Sequence, residues 1–147
     1  QDPTGRGFQV RQSIIAIGSG GLTGAGLGQG AQAQLKFLPE APTDFVFASL
    51  LEQLGFVGFL LLITVWIILF WRTTKIINRA QDNYTLYLAL GLTLLLFVQT
   101  FINVAMNLGL APSIGLPLPF LSYGGSALLS TFILIGILQS IARRQKL

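Results

Sequence analysis

The sequence contains no cysteine and no histidine among its 147 residues. Within this chain their absence excludes disulfide bonds, zinc sites of the usual kind, and Ser-His or Cys-His catalysis. Charge is scarce as well, at 10% of residues, against about 25% in a soluble domain. The only acids are Asp2, Glu40, Asp44, Glu52 and Asp82, so any proton transfer falls to one of these, to a lysine or to a tyrosine. The net charge is +4, but the basic residues form no patch, which argues against a nucleic-acid partner. Apolar residues are what the chain has in quantity, 52% of the total. That is too much for a water-facing surface, so lipid must cover a large part of it.

Three long apolar stretches run from about Leu54 to Trp71, about Thr85 to Met106 and about Phe120 to Ala142, with no Lys or Arg in any interior. Each approaches the roughly 20 residues that cross a bilayer core. The fold class is therefore an all-α polytopic membrane protein, with three transmembrane helices preceded by a large glycine-rich extracellular or periplasmic loop. The expected division is an outer, partly re-entrant loop over 1–44, helices over 45–71, 85–106 and 120–142, a cytoplasmic loop over 72–84, an outer loop over 107–119 and a cytoplasmic tail over 143–147. Orientation comes from Arg72, Lys75 and Arg79 in the first link and Arg143, Arg144 and Lys146 in the tail. The positive-inside rule places both in the cytoplasm, so 1–44 and the uncharged link 107–119 face outward together. Trp71 suits an interfacial anchor and Trp66 a packing role. The chain opens at Gln1 on a polar run without a signal-peptide pattern, and it reads as the C-terminal piece of a longer membrane protein.

From Gly18 to Gly30 the chain reads GSGGLTGAGLGQG, seven glycines in thirteen residues. No Lys follows as in a phosphate loop, and no strand and clean GxGxxG mark a dinucleotide turn. The spacing Gly20, Gly24, Gly28 suits close helix packing. With Ile14, Ile15, Ile17 and Leu22 nearby, the loop is expected to dip into the membrane surface, which is tolerated only where protein or a water-filled cavity lines it.

Pro39 and Pro42 stiffen the approach to the first span, and Thr43 or Asp44 is a natural N-cap. Asp44 has two readings. It is a cap, or it is a carboxylate at the outer membrane surface, where desolvation would raise its pKa and the helix N-terminus would lower it. Glu52 lies eight residues on, about 12 Å deeper and turned about 80°. An acid inside a span is a functional candidate by default, although an internal hydrogen bond explains it equally well. Lys36 and Arg11 could hold a phosphate or meet lipid headgroups. Asn103 and Asn107 share one face of the second span near its outer end. Beyond three prolines, Ser122, Gly124, Gly125 and Ser126 make a small, polar start to the third.

The segments QSIIAIGSGGLTGAGLGQG, FLPEAPTDFVFA and PSIGLPLPFLSYGGSA resemble, in sequence and spacing from about Phe8 onward, the SEDS family that includes RodA, FtsW and SpoVE. QAQLKFLPE leans towards the RodA branch. The resemblance implies a protein of about ten spans, of which this chain is the last three with the large outer loop before them. It implies a peptidoglycan glycosyltransferase that polymerises lipid II on the outer face of the bacterial cytoplasmic membrane, for elongation and shape or for division, beside a class B penicillin-binding protein. The family's essential loop aspartate falls on Asp44 as catalytic base, and the substrate-binding set is read as Lys36, Glu40, Thr43, Glu52, Asn107, Ser122, Gly124 and Gly125. No cofactor is evident; a divalent cation, Mg or Mn, would suit the pyrophosphate leaving group, with its ligands unassigned. A lipid II flippase and a non-catalytic scaffold for the penicillin-binding protein are the competing expectations. The piece alone is expected to be inactive. The family often reads His-Thr-Asp where this chain has Pro42-Thr43-Asp44, and Glu-Glu-Leu-Gly where it has Glu52-Gln53-Leu54-Gly55. A role assigned to that histidine cannot operate here.

Overall fold

A computed structural model of the chain describes residues 6–26 and 43–145. Its helices are α1 (Arg6–Ser19), α2 (Val46–Asn78), α3 (Asn83–Asn107) and α4 (Gly125–Arg144). The last three are long and apolar enough to cross a membrane. Large apolar side chains stand exposed along them, Leu61, Val65, Ile67, Phe101, Leu129 and Phe132 among others. Water would penalise such a surface heavily. The chain is a multi-pass membrane protein.

In lipid, apolar transfer does little to bring helices together, so packing and interhelical hydrogen bonds must do so. Ala16 of α1 packs against Phe45 and Ala48 at the start of α2. Phe47, Leu51, Leu62 and Trp66 of α2 close around Leu118 from the link before α4. Ala89 and Leu96 of α3 meet Leu138 and Ile141 of α4 at the other end of the bundle. That end gathers the basic residues: Gln145 Nε2, next to Arg144, donates to Ile76 O near the end of α2 at 3.1 Å. Trp71 is 56% exposed with Lys75 Nζ 3.4 Å from its ring, whereas Trp66 is buried and stacks on Phe70. Asp82 caps α3, accepting from Thr85 N at 2.8 Å, and that bond holds its carboxyl below the usual carboxylate value.

Several expected boundaries are corrected. Residues 6–19, expected as loop, are helical. α2 stays helical to Asn78, past residue 71, because WRTTKIIN holds no Gly or Pro and the Thr73 and Thr74 hydroxyls bond back to Phe70 O and Trp71 O. α4 begins at Gly125 rather than 120. The intervening chain is irregular: Pro119 interrupts it and Phe120 takes φ 68°, a left-handed conformation that a bulky residue adopts only under constraint. Trp66 and Phe132 hold the Phe120 ring at 6.2 and 6.0 Å between centroids.

α2 is broken once. Gly55 has φ 62° and ψ −153° in the middle of an otherwise helical run. In a continuous helix Phe56 N would donate to Glu52 O, and Val57 N to Gln53 O. Both donors turn instead to the glycine-rich loop: Phe56 N bonds Gly21 O at 3.0 Å and Val57 N bonds Leu22 O at 3.2 Å. The two carbonyls left behind accept from Ala25 N at 2.9 Å and Gly26 N at 3.1 Å. The loop thus pairs these two donors and two carbonyls, as irregular backbone at membrane depth requires. Side chains have no room there. A Cβ on Gly20 would overlap Leu51 O, one on Gly24 would overlap Gln53 O, and one on Gly55 would overlap Gly24 N. Gly20 and Gly24 make the close approach their spacing suggests, but as a turn inserted into a neighbouring helix rather than as a helix face. Gly28 lies outside the described residues.

Candidate functional site

Three amides stand four residues apart on one face of α3, and each reaches across to a carbonyl on another segment. Gln99 Nε2 donates to Pro117 O at 3.0 Å. Asn103 Nδ2 donates to Leu116 O at 2.6 Å and to Asp44 O at 3.0 Å. Asn107 Nδ2 donates to Asp44 O at 3.1 Å. Spacing of i, i+4, i+8 keeps the three in a row. They tie α3 to the link that precedes α4 and to the residues that precede α2.

The start of α2 is held the same way. The N-cap expected at Thr43 or Asp44 is corrected: the cap position is Phe45, without a side-chain bond. Ala48 N, in the first turn of α2, donates to Asn107 Oδ1 at 3.2 Å. Asn107, 59 residues away in the chain, thus supplies a side-chain acceptor to the first turn of α2. Behind Asn107, the Ser13 hydroxyl of α1 donates to Asn107 O at 2.8 Å. Ser13, Asn103 and Asn107 are all fully buried. Each such hydrogen bond contributes about 1 kcal/mol, and removing one partner costs about 1–3 kcal/mol for the group left buried.

Asp44 sits at the focus of this arrangement, half-buried beside Phe45. Its carboxylate faces the link before α4: a Cβ on Gly115 would lie 3.3 Å from Asp44 Oδ2. Gly115 has φ 75°, so its backbone, too, disfavours a side chain. The segments α1, 43–45 and 108–119 therefore converge at one end of the bundle, opposite the basic end.

The other sequence candidates divide. Lys36 and Glu40 lie outside the described residues. Thr43 is half-buried next to Asp44. Glu52 is buried at the break in α2, one turn before Phe56, and its carbonyl accepts from Ala25 N. Asn107 is turned inward onto protein atoms, behind Asp44 rather than on an open surface. Ser122 is 2% exposed, and its hydroxyl accepts from Leu118 N at 2.6 Å, closing the turn that follows Pro117. Gly124 is half-exposed and extended at the start of α4, and Gly125 is exposed with open space where a Cβ would stand. Arg11 is exposed on α1 at the Asp44 end. Among the described residues no three His, Cys, Asp or Glu side chains come together, so these residues do not by themselves supply a metal site. The spacing argument passed over Gln99, Ser13, Gly55 and Gly115. Continuing the Asn107–Asn103 interval by one more turn reaches Gln99. For Ser13 and Gly115 no local signal exists.

The chain is similar to known proteins along its whole length. A family model described as cell cycle protein, covering FtsW, RodA and SpoVE, matches residues 1–147. The chain is 49% identical over 146 residues to peptidoglycan glycosyltransferase MrdB of Escherichia coli K12, covering 99% of this chain and 40% of that protein. It is 47% identical over 147 residues to a probable peptidoglycan glycosyltransferase FtsW of Trichlorobacter lovleyi, covering 38% of it. It is 44% identical over 143 residues to stage V sporulation protein E of Bacillus subtilis, covering 39% of it. MrdB represents the RodA-like branch towards which QAQLKFLPE leans. A solved chain described as "Structural coordination of polymerization and crosslinking by a peptidoglycan synthase complex" superposes with a TM-score of 0.78 at 32% identity, covering 99% of this chain and 38% of that one. This chain spans about two fifths of the length of these relatives.

Proposed function

Because the chain belongs to the cell cycle protein family of FtsW, RodA and SpoVE, we propose that it is the C-terminal part of a peptidoglycan glycosyltransferase, with Asp44 as general base. The observation that carries the reading is the hold on Asp44. Two buried asparagines fix its main chain, and its carboxylate lies against the Gly115 segment at the mouth of α2. A base must sit within about 3 Å of the proton it takes, and a held main chain is how such placement is kept.

In the proposed reaction the substrate is lipid II, an undecaprenyl-pyrophosphate-linked disaccharide peptide. The Asp44 carboxylate takes the proton from the C4 hydroxyl of an acceptor GlcNAc. The oxygen then bonds to the anomeric carbon of the donor chain, the bond from that carbon to phosphate breaks, and undecaprenyl pyrophosphate leaves with the electron pair. Positive charge must meet the leaving group. Arg11, Lys36 and a divalent cation such as Mg or Mn are the proposed sources. The cation rests on the chemistry of pyrophosphate, not on a ligand set in this chain, and no step is assigned to it. The substrate-facing residues are proposed to be Thr43, Lys36, Glu40, Gly124 and Gly125.

The proposed membrane is the bacterial cytoplasmic one, with the C-terminus in the cytoplasm and the Asp44 end outside. Support comes from the gathering of Arg72, Lys75, Arg79, Arg143 and Arg144 at the opposite end. The proposed protein partner is a class B penicillin-binding protein, in keeping with the synthase complex to which the solved relative belongs.

Lipid II polymerisation by the purified intact protein tests the reading. Asp44→Asn is expected to abolish glycan-chain formation, by roughly 100-fold or more for loss of a general base, while the protein stays folded. Unchanged polymerisation by that variant would sink the catalytic assignment, and lipid transport or a scaffold role would take its place.

A further inference from the structure

Two amides on one helix converge on one acceptor. Asn103 and Asn107 both donate to the main-chain carbonyl of Asp44, at 3.0 and 3.1 Å. A single hydrogen bond would satisfy that carbonyl, so the second adds direction. Each amide is tied at its other side. Asn103 also holds Leu116 O at 2.6 Å, next to the Gly115 that faces Asp44 Oδ2. Asn107 also accepts from Ala48 N at 3.2 Å and is backed by Ser13 of α1. The hydrogen bonds of the pair thus fix the main chain from the Asp44 carbonyl into the first turn of α2, and fix the opposing loop in the same frame.

We infer that Asn103 and Asn107 are positioning residues for the Asp44 carboxylate, and that Gly115 completes the device by leaving room beside Oδ2. Asn107 then acts through Asp44 and does not bind substrate. The inference rests on the reading of Asp44 as the base. Misplacing a catalytic group by about 1 Å can cost roughly 100-fold in rate, whereas losing a substrate contact raises KM.

The test is steady-state lipid II polymerisation by the intact protein, with kcat, KM and the unfolding temperature measured together. Asn107→Ala is expected to lower kcat by roughly 10- to 100-fold with KM changed less than about twofold. Leu138→Ala removes a buried side chain at the far end of α4. It should lower the unfolding temperature and keep kcat within about twofold of wild type. Gly115→Ala covers the case in which Asn107→Ala fails to fold: Gly115 is exposed, so helix packing is untouched, and kcat should still fall by crowding at Oδ2. If Asp44→Asn is inactive while kcat survives in Asn107→Ala, or in Gly115→Ala where the former does not fold, the positioning inference is wrong and the base stands. A rise in KM at constant kcat would likewise overturn it, returning Asn107 to substrate binding. Activity in Asp44→Asn would remove the base, and this inference with it.

Discussion

Replacing Gly55 by alanine probes how the broken helix is held. An alanine would have to adopt φ 62° and ψ −153°, a region nearly reserved to glycine that costs on the order of 1–3 kcal/mol. Its Cβ would overlap Gly24 N and come within 2.8 Å of the Leu22 carbonyl carbon and oxygen. These are backbone atoms and cannot rotate aside, so the loop must retreat. Four hydrogen bonds go with it, from Phe56, Val57, Ala25 and Gly26, each contributing about 1 kcal/mol net. Strain and lost pairing together come to roughly 5–7 kcal/mol, a large share of the roughly 5–15 kcal/mol that keeps a protein folded. Gly91 is the control. It lies inside α3 with open space where a Cβ would stand, and Gly91→Ala should stabilise the helix by up to about 1 kcal/mol. Thermal unfolding of the intact protein in detergent, followed by tryptophan fluorescence, compares the two. Hydrogen exchange adds a local readout: the Phe56 and Val57 amides should be protected in the wild type and exchange rapidly in Gly55→Ala. Indistinguishable unfolding temperatures for the two variants would refute the account of the break.

Two further perturbations follow from single contacts. Ser122→Ala leaves Leu118 N buried without its acceptor, and should lower stability by about 1–3 kcal/mol in denaturant unfolding, with no new charge or volume involved. Asp82→Asn keeps a good N-cap but removes a titrating group. The Thr85 amide holds the Asp82 carboxyl below its ordinary value. Its contribution is therefore complete above the ordinary carboxylate range and is lost as the pH falls through the lowered value. Unfolding measured across the acid range should show a slightly shallower loss of stability in Asp82→Asn, and identical profiles would refute the cap.

The lipid environment acts on composition, residue by residue, and that is why the three membrane helices and the basic end are legible without coordinates. The amide row is legible as well, because Asn103 and Asn107 announce a shared face by their interval and Gln99 extends it. Beyond local periodicity the sequence is silent. Gly55 looks no different from Gly58, Gly91 or Gly136 in an apolar run, and only the loop at Gly20–Gly26 pairing with its carbonyls makes it a break. Asp44 has every local mark of a helix cap, but nothing local shows that Asn107 also reaches the first turn of α2, because a helix start can be satisfied by an acceptor arriving through space. Ser122 reads as part of the small, polar start of the third span, and only the fold shows it buried with its hydroxyl on Leu118 N. The residue types and spacings of this chain determined that it crosses a membrane and that most of its basic residues gather at one end of the bundle. Which backbone groups are left over at the Gly55 break and at the start of α2, and which distant side chains answer them, was decided only when α1, α3 and the loops came together around α2.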